Sequence, residues 1–157
     1  MRNASIPDPS YEIHTGQELR LMLTKGKPLA HFYDYYPPEP GDNVIPRAAF
    51  KPHVDAGHFE QRSYVQLQDP PQRVPRVHGI LHVFYARHGE GWRIDDYIAM
   101  QYEAAQAGWS ERLERRQGSL LGYSDRENDV HIEQLLKSSE AEAFPWLRQA
   151  IASRKGN

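Results

Sequence analysis

Histidine, tyrosine and carboxylate side chains concentrate in the middle of this chain, and their types point to two kinds of chemistry. His82, followed across a glycine-containing turn by Asp95 and Tyr97, offers a general base with a carboxylate to orient it. Glu60, Arg62 and Tyr64 alternate along an earlier segment and would surround a substrate on the same surface. The second chemistry is metal binding. His53-Val54-Asp55 opens like a site of two histidines and one carboxylate, but so short a pattern is weak in a chain with 8 histidines. His78 and His82 would sit about 13 Å apart along a strand, too far to share an ion. No metal ligand set is assigned, and no cofactor is expected. There is no cysteine, no Gly-x-Ser-x-Gly and no glycine-rich phosphate loop, so nothing marks a nucleophile or a phosphate cradle.

These residues need strands to bring them together. The richest β signal runs from Val77 to Gln101. Gly89-Glu90 suits a two-residue turn, and a hairpin in that register sorts its side chains cleanly. One face holds Val77, Leu81, Val83, Tyr85, Trp92, Ile94, Ile98 and Met100, with Asp96 as its one discordant residue. The other holds His78, Ile80, His82, Phe84, Ala86, Arg93, Asp95, Tyr97 and Gln101. In this register His82 stands opposite Tyr97 and diagonal to Asp95.

Two earlier segments extend the sheet. Leu29 to Tyr36 reads as an aromatic strand and His58 to Gln68 as another. Alternation puts His58, Glu60, Arg62, Tyr64, Gln66 and Gln68 on the polar side, joined by His31, Tyr33 and Tyr35. The Pro-rich stretch from Pro37 reads as a long loop to about Ala56, and Asp69-Pro70-Pro71 breaks the chain again before Pro75.

Helices flank the strands. Residues 1–14 read as an irregular arm and 15–26 as a helix, with Thr15 and Glu18 as a capping box and Gly26 at its end. The sheet would occupy 29–101 and helices 102–154. Ser110 caps one of these, Gly122 and Tyr123 end it, Ser124 and Glu127 cap the next, and Pro145 opens the last. The expectation is a single α+β domain with a mainly antiparallel sheet of about four strands. C-terminal helices pack on one face, the apolar hairpin face.

Composition narrows the function. The chain has 157 residues, 39% hydrophobic and 25% charged, with net charge −2. That balance argues against nucleic acid as a partner. The joint at Leu120–Glu127 resembles a helix-turn-helix, but Asp125, Glu127 and Asp129 would repel phosphate at the start of its second helix. No apolar run approaches a membrane span, and Met1–Ser10 lacks a signal-peptide core, so a cytoplasmic protein without membrane association is expected.

A polar sheet face is ordinarily just solvated. This one has no lysine and many tyrosines and histidines, the bias of a recognition surface. The leading expectation is a small binding protein gripping a partner protein or small ligand through Tyr33, His58, Glu60, Arg62, Tyr64, His78, His82 and Tyr97. The alternative is an acid–base or metal-dependent enzyme on the same face, with His82 as base, Asp95 as its orienter and Glu60 nearby.

Overall fold

The computed structural model describes residues 11–41, 44–68, 77–139 and 141–156. The expected arm over Met1–Ser10, the Asp42–Asn43 part of the loop and the breaker from Asp69 to Pro75 lie outside them. The elements are α1 (Glu18–Thr24), β1 (Leu29–Tyr36), α2 (Arg47–Asp55), β2 (Phe59–Leu67), β3 (Gly79–Arg87), α3 (Trp92–Ala107), α4 (Glu111–Leu120), α5 (Asp125–Lys137) and α6 (Pro145–Lys155). The class is α+β, with one antiparallel sheet of three strands in the order β1-β3-β2.

The fourth strand is a helix, so the sheet ends at Arg87 rather than 101. The turn after β3 closes through Glu90 N–H donating to the Arg87 carbonyl at 2.8 Å, and Arg93 and Ile94 then donate back to Glu90 and Gly91. This launches α3 at once. Its buried side chains are Ile94, Tyr97 and Met100, spaced by three. Ile94 and Ile98 satisfy a period of two and a period of 3.6 equally well, which is why the segment imitates a strand. Asp96, discordant in the hairpin, pairs with Arg116 of α4. Asp95 and Asp96 also lie near the helix start, where negative charge is favoured.

The expected loop before Ala56 contains α2, preceded by Pro46 and carrying Pro52 inside it. Those prolines disguise the helix. α2 and α1 cover the apolar face, where Met22, Ile45 and Phe50 pack on Ala30, Phe59, Val83 and Tyr85. Full burial of rings such as Phe50 and Tyr85 contributes about 1.5–3 kcal/mol each. The C-terminal helices therefore take the opposite face from the one expected. Ile94, Tyr97, Met100, Leu113 and Leu120 pack on Leu29, Phe84 and Ala86, the apolar end of the histidine face.

α1 starts at Glu18, not at Thr15, with Gln17 as a cap residue whose side chain makes no capping bond. The later punctuation follows its residues. Ser110 accepts from Leu113 N–H, and Ser124 and Glu127 form a reciprocal capping box. Gly122 takes φ +100, and Tyr123 N–H donates to the Gly118 carbonyl at 2.9 Å. This is the left-handed helix stop that glycine permits. Gly118 sits against buried Asn128, and a Cβ there would fall inside that carboxamide. The residue that weakens α4 thus lets α5 approach.

Candidate functional site

The register places Tyr33, His82 and Tyr64 in one row across the sheet, with His31, Phe84 and Arg62 in the next. Strand alternation puts all six side chains on the face that α3 partly covers. The His82 ring is the centre. It stacks on Tyr64 with centroids 4.8 Å apart, and the His31 ring lies beside it, nearly parallel, at 5.1 Å.

The hydrogen bonds fix the state of the histidine pair. His82 Nε2 lies 3.0 Å from Gln66 Oε1, a carbonyl oxygen that only accepts, so Nε2 carries the proton. The Nδ1 lone pair of His82 then accepts from His31 Nε2–H at 2.9 Å and from the Gln101 amide at 3.3 Å. The Tyr64 hydroxyl donates to Gln101 Oε1 and closes the network. Burial, reinforced by the neighbouring His82, lowers the His31 pKa to about 3. Burial also lowers that of His82. Both rings are neutral at pH 7, and the accepting lone pair of His82 is occupied. Only Nδ1 of His31 remains as a ring acceptor, on a base far weaker than ordinary imidazole.

Tyr97 arrives from α3 rather than from a strand. Its ring lies 4.7 Å from His31 and 5.3 Å from Phe84, and its hydroxyl accepts from Gln117 Nε2 at 2.7 Å. Burial raises its pKa to about 12. Burial, with Tyr102 beside it, also lifts Tyr64 to about 12.

The other expected residues divide. Arg62 donates to Asp95 Oδ1 at 2.5 Å and to the Gly91 carbonyl at 2.7 Å, with Glu60 3.6 Å from its Nε. Glu60, Arg62 and Asp95 therefore form an ion-paired group at the start of α3. Asp95 does not orient His82; the hairpin geometry that placed it there is replaced by a helix. His58 is exposed just before β2, its ring 6.3 Å from that of His53. His78 is exposed just before β3, donating its N–H to the Tyr36 carbonyl at 2.8 Å. Neither joins the His82 row. Among the described residues, no group of three or more His, Asp or Glu side chains is placed to hold a metal ion.

Sequence reasoning did not single out His31, Gln66, Gln101 or Tyr102. His31 and Gln66 share the alternation of Tyr33 and Tyr64, which is the signal that reaches them. The hairpin's alternation sets Gln101 on the His82 face as well, whereas Tyr102 depends on α3 and carries no such signal. Beyond the roof of α3 the face is open. Tyr33 is 64% exposed, Tyr35 58% and Tyr102 64%. None of the five principal cavities is lined by His31, Tyr64 or His82. No family model, no curated protein and no solved structure matches the chain. No helix among the described residues is long and apolar enough to cross a membrane.

Proposed function

We propose that this chain is a cytoplasmic binding protein whose contact surface is the open end of the histidine face. Tyr33, Tyr35, Tyr64 and Tyr102 form the surface, with His82 as its floor. The observation that carries this reading is the clustering of exposed tyrosines on one side of a rigid, neutral histidine network. Tyrosine presents large area at low entropic cost, and interfaces favour it while excluding lysine. None of the three strands contains a lysine. An open face that lines none of the principal cavities among the described residues suits a partner protein better than a small molecule.

Tyrosine nitration mapped by mass spectrometry tests the proposal. Tyr33, Tyr35 and Tyr102 should react in the free protein and become protected when cell extract supplies the partner. Protection confined to Tyr11 and Tyr123, or none anywhere, would reject this surface.

A further inference from the structure

We propose that β2 is the seam of a symmetric dimer, in which two copies of this chain join antiparallel along their Phe59–Leu67 edges into one six-stranded sheet.

Among the described residues both outer strands expose an edge, but they are built differently. β1 is guarded. Leu29 and Ala30 are fully buried, the Asp34 carboxylate takes the Tyr35 N–H at 2.7 Å, and Pro28 and Pro37 flank the strand. β2 is the longer strand and has neither proline nor lysine, the residues that commonly blunt an edge.

The direction of its backbone groups follows from its ends. His88 N–H donates to the His58 carbonyl and Gln68 N–H to the His78 carbonyl, each at 3.0 Å. Both pairs continue the β2·β3 register. Even-numbered residues of β2 thus bond to β3, and Phe59, Gln61, Ser63, Val65 and Leu67 aim their N–H and C=O groups outward. Among the described residues no bond engages those of Gln61, Ser63 or Val65.

A second copy satisfies this pattern, because an antiparallel pair about a two-fold axis sets odd residues opposite odd ones. Centring the axis on Ser63 uses the whole strand. Phe59 then faces Leu67, Gln61 faces Val65, Glu60 faces Gln66 and Arg62 faces Tyr64 of the second copy. No like charges meet. Centring on Arg62 would oppose two guanidinium groups, which is destabilising. Leu67 is 74% exposed and shares a face with buried Phe59, beside α2. In the Ser63-centred register it gains that apolar neighbour. Tyr64 belongs to both surfaces, but Tyr33 lies on β1 away from the seam, and Tyr33→Ala should leave the dimer intact.

Sedimentation velocity on the full chain should show twice the 18.2 kDa monomer mass. Ser63→Lys, which sets two ammonium groups together at the axis, should weaken the dimer by about tenfold or more. The chain has no cysteine, so an introduced thiol reports the register. Ser63→Cys lies about 5.5 Å from its own copy in this pairing and should oxidise to a linked dimer. Gln61→Cys lies about 13 Å from its copy and should not. A monomer at the highest soluble concentration would overturn the proposal. So would a dimer untouched by Ser63→Lys, or a Gln61→Cys that links as readily as Ser63→Cys.

Discussion

At Phe84 the histidine face of the sheet is roofed by Tyr97 of α3, whereas one row along, at His82, it opens between half-buried Tyr64 and solvent-facing Tyr33. The closed end holds Leu29, His31, Phe84 and Ala86 against helices. The open end holds Tyr33, Tyr35 and Tyr102, with half-buried Tyr64 at the boundary between the two. The same alternation builds both ends, and the strands hardly change in character between them. The difference is made by α3, whose buried stripe reaches Phe84 and stops short of Tyr33. Aromatic residues at the closed end therefore act through stability, and those at the open end are free to act through contact.

Removing the roof should give the largest effect. Tyr97→Ala empties a buried aromatic site and leaves the Gln117 amide without its acceptor, so unfolding in urea should show a loss of about 3–5 kcal/mol. A loss below about 1 kcal/mol would mean that the two ends do not differ.

Acid should separate the ends next. The His31 pKa is depressed in the folded protein, to about 3 from the 6.5 of a free imidazole. The unfolded chain thus binds the proton first, and stability is complete above pH 6.5 and falls as pH drops toward the folded value. Between pH 6.5 and 5 the cost should be about 2 kcal/mol for this residue. His31→Gln keeps an amide donor for His82 but cannot titrate, and its stability curve should be flatter over that window. His14, lowered to about 4 by burial and then by Lys27, keeps its own share in both proteins.

Smaller effects belong to the open end and to the rim. Tyr33→Ala should change stability by less than about 0.5 kcal/mol while weakening partner binding by about tenfold or more. At the solvent rim of the roofed end, Asp95→Asn breaks an exposed pair with Arg62 and should cost about 0–1 kcal/mol, diminishing in high salt.

How much of this was legible depended on which signals were local. β1 follows from its aromatic alternation, and β2 matches its run of alternating residues to within a residue at each end. The Ser110 cap, the Gly122 stop and the Ser124–Glu127 box are written in neighbouring residues. The row Tyr33–His82–Tyr64 was partly legible too, because alternation sorts faces before strand order is known. Trp92–Gln101 was misread because its apolar residues fit two periods, and only contacts with Leu113 and Leu120, far along the chain, select the helix. That misreading displaced Asp95 from His82. It also put Gln101, set on the correct face, on a strand instead of on α3, from which it closes the hydrogen-bond network. The helix inside the Pro-rich stretch was masked by Pro46 and Pro52, so the cover of the apolar face was assigned to the wrong helices.

Affinity purification with quantitative mass spectrometry, run on the wild type, Tyr33→Ala/Tyr102→Ala and Lys51→Ala, tests most directly whether the open end binds. Lys51 is exposed on α2, across the sheet from the tyrosines. A partner protein should be retained by the wild type and by Lys51→Ala and lost from the tyrosine double variant, with all three equally folded. The same proteins retained by all three would contradict a binding role for the open end, as would a wild type that retains nothing.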